Sequence, residues 1–95
     1  MFEIRYHPDV IHQDLKKVDP SLQKKILRHI LKKLTTAPHE YGKPLQYDLK
    51  GYWRLRIDDF RAIYEIDGPK KGVTVWLVGP RRDDEVYIEF LKRLR

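Results

Sequence analysis

Apolar and polar residues alternate in four segments of the chain, and a period of two residues is typical of β-strands that bury one face. One such segment stands near the beginning, in residues 2–6 with the sequence FEIRY. The other three follow one another in the second half, at residues 52–57, 60–66 and 73–78. The short connections between these three, Asp58-Asp59 and DGPKKG, are typical of turns. The pattern therefore predicts three consecutive antiparallel strands.

Other segments have the helical period of 3.6 residues. The clearest begins at VDPSLQ, where Asp19 is predicted to cap the helix and Pro20 to be its first residue. The apolar stripe of this helix consists of Leu22, Ile26, Leu27, Ile30, Leu31 and Leu34. A shorter helix is predicted before it, starting near Pro8, with one side formed by Val10, Ile11, Leu15 and Val18. Few residues separate the two, so we expect a helical hairpin.

The chain ends in a third amphipathic segment, which Asp83 and Asp84 are placed to cap. Its apolar residues are Val86, Phe90, Leu91 and Leu94. Residues 35–50, punctuated by Pro38, Gly42 and Pro44, are predicted to be an irregular loop inside a single domain that spans residues 1–95. The order β-α-α-β-β-β-α predicts an α+β fold, with the helical hairpin and the C-terminal helix packed on a small antiparallel sheet.

Arginines recur at alternate positions in the stretch GYWRLRIDDFRAIYEI, residues 51–66. With Asp58-Asp59 as a two-residue hairpin loop, Arg56 faces Arg61 across the strands. Because side chains alternate between the two faces of a sheet, one face then carries Trp53, Leu55, Ile57, Phe60, Ala62 and Tyr64. The opposite face carries Tyr52, Arg54, Arg56, Arg61, Ile63 and Glu65. A three-residue loop would shift the register and separate the arginines.

A second turn is expected to add positive charge at the same end of this face. If Ile66 pairs with Val73, the segment Gly79-Pro80-Arg81-Arg82 returns beside Arg56 and Arg61. Like charges on neighbouring strands cost a few tenths of a kcal/mol to about 1 kcal/mol when nothing relieves them. Either a polyanionic ligand neutralises these arginines, or nearby carboxylates do so on an ordinary solvated surface. The carboxylates concerned are Asp58, Asp59, Glu65, Asp83 and Asp84.

Composition restricts the partners and the chemistry. The net charge of +6 favours anionic partners such as nucleic acid, an acidic protein or anionic lipid. The absence of cysteine excludes disulfide and thiolate chemistry. The four histidines lack metal-ligand spacing, so no metal and no other cofactor is predicted. The N-terminus does not resemble a signal peptide and no segment is suited to span a membrane, so we expect a cytoplasmic protein.

The stretch YWRLRIDDFRAIYEI, followed by VGPRRDDEVY running into a C-terminal helix, resembles the RelE/ParE superfamily of toxins from type II toxin–antitoxin pairs. The resemblance covers nearly the whole chain. RelE-like members cut messenger RNA in the ribosomal A site without a metal, ParE-like members inhibit DNA gyrase, and an antitoxin wraps around each. The resemblance thus implies a ribosome-dependent endoribonuclease whose partners are the ribosome, messenger RNA and a cognate antitoxin. A gyrase inhibitor or a catalytically weak binding module of the same fold is the alternative.

The RelE-like pattern also implies site residues. Its catalytic positions fall on Arg54, Arg61, Arg81 and Tyr87, and further contacts to RNA are expected from Lys50, Tyr52, Arg56 and Arg82. The chain departs from the pattern at two of these positions. A lysine of RelE proteins is replaced by Tyr52 and a second lysine by Arg54, which keeps one positive charge but changes the proton chemistry, because arginine is a poor general base.

Attack by a 2′-hydroxyl on the neighbouring phosphate needs a base, an acid and positive charge around the phosphorane. Guanidinium groups can supply that charge in a fork geometry. Tyr87 is the predicted proton acceptor, because adjacent arginines favour its phenolate form. Its ring could instead stack on an RNA base, or pack beside Leu91 in the helix seam. Lys50 and His39, on the loop before the second strand, are the alternative bases.

Overall fold

Five strands form the sheet of the computed structural model, which describes residues 1–82 and 84–95. They are β1 (Glu3–Tyr6), β2 (Lys43–Pro44), β3 (Tyr52–Ile57), β4 (Phe60–Asp67) and β5 (Gly72–Pro80). Their order across the sheet is β1-β5-β4-β3-β2. The pairs β3–β4 and β4–β5 are antiparallel, as predicted, and β2 adds an antiparallel pair with β3 that was not predicted. Contrary to the prediction of an antiparallel sheet, β1 runs parallel to β5. A parallel pair needs a long crossover connection, which the chain between β1 and β5 supplies.

The main helix lies where the sequence predicts it. This helix, α1 (Pro20–Leu34), begins after Asp19, whose carboxylate accepts hydrogen bonds from the hydroxyl and the backbone N–H of Ser21. These hydrogen bonds lower the pKa of the Asp19 carboxyl. Of its apolar stripe, Ile26, Ile30 and Leu34 are buried, Leu22 and Leu27 are half-buried, and Leu31 is exposed. The buried stripe is therefore narrower than predicted.

The segment before α1 is helical from Pro8 onward, but only Pro8 and Asp9 are α-helical. It continues as a π-helical turn, Val10–Asp14, followed by a 3-10 turn, Leu15–Lys17. Val10 and Leu15 are buried, whereas Ile11 is exposed. The backbone N–H of Leu15 donates to the carbonyl of Val10, five residues earlier, which is the π-helical hydrogen bond. The predicted helical hairpin is thus formed by this irregular segment and α1. The spacing of five residues between the buried Val10 and Leu15 matches that of the π-helical hydrogen bond.

Residues 35–50 contain more regular structure than predicted. They include the single-turn helix α2 (Pro38–Tyr41), strand β2 and a 3-10 turn, Tyr47–Leu49. The hydroxyl of Tyr64 in β4 donates to the carbonyl of Pro38 over 2.6 Å, and burial raises the pKa of this tyrosine. Gly42 lies so close that a Cβ atom there would overlap the Tyr64 hydroxyl. A glycine is therefore required where this segment crosses the sheet.

Helices cover both faces of the sheet. On one face α1 packs on the predicted apolar set, which includes Leu55, Ile57, Ala62 and Tyr64. On the other face the C-terminal helix, α3 (Glu85–Arg93), packs Val86 and Phe90 on a second core with Leu49, Ile63 and Leu77. Part of the face that carries Arg54, Arg56 and Arg61 is therefore covered by a helix, which the sequence did not predict. Ile63 and Leu77 are register neighbours there, and their apolar surface is what α3 covers.

The start of α3 differs from its predicted capping. Asp84 occupies the N-cap position, but its side chain makes no capping hydrogen bond, and Asp83 lies outside the described residues. No helix in residues 1–82 and 84–95 has the length and apolar character needed to cross a membrane.

Candidate active site

The β3–β4 hairpin has the predicted register. Arg56 lies opposite Arg61 and Arg54 opposite Ile63, with Asp58 and Asp59 as the two loop residues. Asp58 adopts a positive φ of 51°, a conformation that aspartate tolerates better than most residues and that suits a two-residue hairpin turn. The sequence therefore placed Arg54, Arg56 and Arg61 correctly on one face of the sheet.

Tyr87 of α3 joins the arginines of β3 and β4. Its hydroxyl oxygen accepts a hydrogen bond from Arg61 Nη1 at 3.2 Å and a longer one from Arg54 Nη1 at 3.4 Å. The guanidinium carbon of Arg61 also lies 5.7 Å from the centre of the Tyr87 ring, within the range of a cation–π contact. Three of the four predicted catalytic side chains thus meet at one oxygen atom.

Two guanidinium groups face the Tyr87 oxygen. Charge-assisted hydrogen bonds to an oxyanion are about twice as strong as bonds between neutral groups. Arg54 and Arg61 can therefore form strong hydrogen bonds with a negatively charged oxygen at this position. The ring is half-buried against the second core, which fixes its position above the sheet. Tyr87 therefore packs against the second core and contacts the arginines at the same time.

Arg61 carries an unsatisfied donor. Its Nε atom is buried and has no hydrogen-bond partner among the described residues, while Nη1 is engaged with Tyr87. A buried unsatisfied donor costs about 1–3 kcal/mol, and a catalytic role is one of the explanations for such a group.

The end of β5 lies beside Arg61, as the predicted turn between β4 and β5 requires. Gly79 lies opposite Arg61, Pro80 lies opposite Phe60, and the backbone N–H of Arg81 donates to the Asp59 carbonyl over 2.6 Å. The side chains of Arg56, Arg81 and Arg82 are exposed near this end of the hairpin. The predicted cluster therefore exists as exposed arginines around the Asp58-Asp59 turn, beside the half-buried Arg61.

Lys50 stands at the other end of the hairpin. It is exposed just before β3, six residues from Arg56, a separation of roughly 20 Å along an extended strand. Lys50 is thus nearer to Arg54 than to the loop end of the hairpin. Its predicted contact with RNA requires a ligand that extends along β3.

Tyr52 has a packing role in the structure. Its ring meets Phe90 edge-on with 4.8 Å between centroids, and it lies 6.2 Å from the Trp76 ring. Desolvation raises the pKa of Tyr52, and the nearby charge of Glu65 adds to the effect. This contact with α3 explains an aromatic residue at position 52. Its binding to RNA stays a prediction.

His39 lies on the wrong face to serve as the base beside Arg54. Its ring contacts Trp53 edge-on at 5.4 Å and Phe2 at 6.2 Å, and both of these residues pack against the first core. Trp53 and Arg54 are consecutive in β3 and therefore point to opposite faces. The prediction of His39 as an alternative base for this site is wrong.

Carboxylates do not pair with the arginine cluster in the described part of the chain. Asp58 forms an ion pair with Lys25 of α1 at 2.6 Å, which lowers the Asp58 pKa, and Glu65 accepts a hydrogen bond from the Trp76 indole. None of the ion pairs within residues 1–82 and 84–95 includes Arg54, Arg56, Arg61, Arg81 or Arg82. The carboxylates of the described residues therefore do not neutralise these arginines, and Asp83 lies outside the described residues.

The fold is that of the RelE toxins. The structure superposes on the toxin–antitoxin complex RelBE2 of Mycobacterium tuberculosis with a TM-score of 0.78 and 26% identity, over 84% of this chain and 98% of the other. The isolated RelE toxin of E. coli matches along 100% of both chains with a TM-score of 0.69 and 18% identity. These likenesses define the class of protein as a RelE-type α+β toxin fold.

Sequence comparison gives the family. The family model described as "ParE toxin of type II toxin-antitoxin system, parDE" matches residues 4–85. The chain therefore belongs to the ParE toxin family within the RelE/ParE superfamily. Toxin RelG of M. tuberculosis is 30% identical over 71 residues, 75% of this chain and 82% of that protein. Toxin RelE of the same organism is 33% identical over 55 residues, 58% of this chain, and the match spans 57% of that toxin's length.

Proposed function

We propose that this toxin is a metal-independent endoribonuclease that cleaves messenger RNA in the ribosomal A site. The observation that carries the proposal is the meeting of Arg54, Arg61 and Tyr87 at the Tyr87 hydroxyl oxygen. A proton acceptor beside two guanidinium groups supplies two of the needs of 2′-hydroxyl attack on a phosphate, a base and positive charge. The exposed arginines at the hairpin end extend the same positive surface toward a long anionic substrate.

The proposed reaction assigns one role to each residue. The Tyr87 phenolate takes the proton of the 2′-hydroxyl, and the resulting oxygen attacks the adjacent phosphorus. The bond from phosphorus to the 5′-oxygen breaks, leaving a 2′,3′-cyclic phosphate, and the 5′-oxygen takes a proton from water. Arg61 and Arg54 stabilise the negative charge of the phosphorane, and Arg81 reaches the same phosphate from the end of β5.

Partners follow from the same proposal. The substrate is presented by the ribosome in the cytoplasm, and the remaining positive residues, Lys50, Arg56 and Arg82, contact the RNA backbone around the cut. A cognate antitoxin binds the toxin and inhibits it. This is supported by the likeness to the toxin of the RelBE2 toxin–antitoxin complex.

A gyrase inhibitor of the ParE type is the second candidate. It is favoured by the family match and by Tyr52, which replaces a lysine of RelE proteins with a residue committed to packing on Phe90. In that case the arginines would bind another macromolecule and Tyr87 would have no proton to accept.

Primer extension on messenger RNA, from cells in which the toxin is induced, separates the two functions. Cuts within codons, lost in Arg61→Ala and kept in Arg5→Ala, are the expected result. Arg5 is a matched control because it is an exposed strand arginine on β1, so both variants remove one positive charge. Intact messenger together with trapped gyrase–DNA complexes would contradict the ribonuclease and support the inhibitor.

A further inference from the structure

Asp14 and Arg93, which lie 79 residues apart in the chain, form a two-pronged ion pair that the sequence patterns did not indicate. Arg93 Nη1 donates to Asp14 Oδ2 at 2.7 Å and Nη2 donates to Oδ1 at 2.9 Å. Only 5% of the Arg93 side chain and 8% of the Asp14 side chain are exposed. Arg93 Nε also lies 3.6 Å from Asp9 Oδ2. A buried pair of opposite charges with this geometry is an ordered feature rather than a passing surface contact.

The pair also completes the edge of the sheet. β1 ends at Tyr6, opposite Val75, and β5 continues beyond it to Pro80. In this uncovered part of β5 the backbone N–H of Val78 donates to Asp14 Oδ2 at 3.0 Å, and the Trp76 carbonyl accepts from Arg93 Nη1 at 2.8 Å. The side chains of Asp14 and Arg93 thus form hydrogen bonds with backbone groups of β5 that β1 is too short to reach.

The same contacts fix one end of α3. This helix has nine residues, too few to be stable alone, and its N-cap side chain makes no capping hydrogen bond. Val86 and Phe90 hold it by apolar packing, which is not directional. Arg93 and Tyr87 are six residues apart, which places them ~9 Å apart along the helix axis and on different sides of it. The ion pair at Arg93 therefore restricts sliding of α3 along its axis and rotation about that axis at Tyr87.

We propose that the Asp14–Arg93 ion pair positions Tyr87, by holding α3 against the uncovered edge of β5 so that the Tyr87 hydroxyl stays on Arg54 and Arg61. Asp14 and Arg93 are positioning residues and touch no substrate. The effect on cleavage rests on the proposed ribonuclease function, whereas the placement of the hydroxyl does not.

Two conservative variants test the proposal. Arg93→Lys keeps the positive charge but cannot make two parallel bonds to Asp14 together with the bond to the Trp76 carbonyl. Asp14→Asn keeps an acceptor for the Val78 N–H and removes the charge. Lys92→Met is the matched control, because it removes a positive charge from the exposed neighbour of Arg93. If Arg93→Lys fails to fold, Asp14→Asn alone decides.

The first measurement is single-turnover cleavage on saturating amounts of programmed ribosomes. A displaced proton acceptor lowers the rate constant, whereas partial unfolding lowers only the amplitude. We expect the rate constant to fall about 10-fold or more in both conservative variants, with binding to ribosomes changed by less than about twofold. Lys92→Met should cleave at the rate of the unaltered protein.

The second measurement does not depend on cleavage. Tyrosine labelled with ¹³C at Cζ gives an NMR signal for each of the six tyrosines, and Tyr87→Phe identifies the Tyr87 signal. Arg93→Lys and Asp14→Asn should shift this signal in the same direction as Arg61→Ala, while the signal of the exposed Tyr47 stays in place. Lys92→Met should leave the Tyr87 signal unchanged.

The outcomes separate this proposal from the proposed function. If the unaltered protein cuts no messenger RNA, the ribonuclease assignment fails, and the NMR signal still decides whether the ion pair places Tyr87. If the protein cuts messenger RNA but the variants keep its rate constant or its Tyr87 signal, the positioning role is refuted while the ribonuclease stands.

Discussion

The Tyr87 hydroxyl lies 3.2 Å from Arg61 Nη1, although the two residues are 26 positions apart and belong to a helix and a strand. Arg61 reaches this point from β4, on the face of the sheet that α3 covers. The contact depends on two independent features: the two-residue turn that sets the register of β4, and the packing of α3 on the second core. A change in either feature separates the two groups.

Tyr87→Phe removes the hydroxyl and keeps the aromatic ring, so it tests the role of the hydroxyl alone. If Tyr87 accepts the proton, this variant should cleave about 10²-fold more slowly on bound ribosomes, with little change in binding. If the ring only stacks on a base, Tyr87→Phe should cleave normally and Tyr87→Ala should fail. Single-turnover cleavage distinguishes these cases, with Tyr47→Phe as the control because Tyr47 is 91% exposed. Normal rates for both Tyr87 variants would remove the residue from the mechanism and leave Lys50 as the alternative.

In the proposed ribonuclease, Arg61→Ala removes both a hydrogen-bond donor to the phosphate and the shorter hydrogen bond to Tyr87. The loss of a charge-stabilising donor of this kind costs a few kcal/mol of transition-state stabilisation, so cleavage should slow roughly 100-fold or more. Arg61→Lys should recover only part of the rate, because an ammonium group does not reproduce the guanidinium fork. Rates measured at saturating ribosome concentration check this, and a lysine variant as fast as the arginine protein would show that charge alone suffices.

Gly42 and Tyr64 should be energetically coupled. Gly42→Ala places a Cβ atom on the Tyr64 hydroxyl and near backbone, so it should destabilise the fold by about 1–3 kcal/mol. Tyr64→Phe should cost about 1–3 kcal/mol by leaving the Pro38 carbonyl without its donor. In the double variant the hydroxyl is absent, and Gly42→Ala should therefore cost less than it does alone.

Urea denaturation of the four proteins of this cycle measures the free energies of unfolding. Gly68→Ala is the matched control, because no atom lies within 4 Å of a Cβ built there, and its effect should be small. Additive costs for Gly42→Ala and Tyr64→Phe would mean that the backbone, and not the hydroxyl, opposes a side chain at position 42.

Asp58 should make stability depend on acid pH. Its hydrogen bond and ion pair with Lys25 lower its pKa in the folded state below the value of about 3.9 expected in the unfolded chain. A lowered folded pKa contributes stability that is present above the unfolded pKa and is lost as the pH falls through the folded pKa. Asp58→Asn removes this contribution and tolerates the positive φ, so its stability should change less with pH below about 4.

Thermal unfolding between pH 2.5 and pH 7 checks the effect of Asp58. Asp59→Asn is the matched control, since it removes the same charge from the same turn without breaking the ion pair to Lys25. Identical pH profiles for the two variants would show that Lys25 does not interact with Asp58 strongly enough to matter.

The sequence alone determined the elements whose signals are local. The Asp19 cap and Pro20 start α1, and the Asp58-Asp59 turn sets the register that places Arg54, Arg56 and Arg61 on one face. These predictions succeed because a cap and a two-residue turn each depend on a few neighbouring residues. The predicted gathering of Arg81 at the same end also follows from register, since β5 pairs with β4 from Gly72 to Pro80 with a single register shift between Ile63 and Tyr64.

Only the tertiary structure decided which face α3 would cover and what Tyr87 would touch. An amphipathic helix can pack on either face of a sheet, and Ile63 and Leu77 form an apolar surface only after β4 and β5 have paired. Three other findings could not be predicted from the sequence for the same reason. They are the parallel pairing of β1 with β5, the contact of His39 with Trp53 away from the site, and the Asp14–Arg93 ion pair. Each joins residues far apart in the chain, and no local pattern records which distant groups will meet when the core closes.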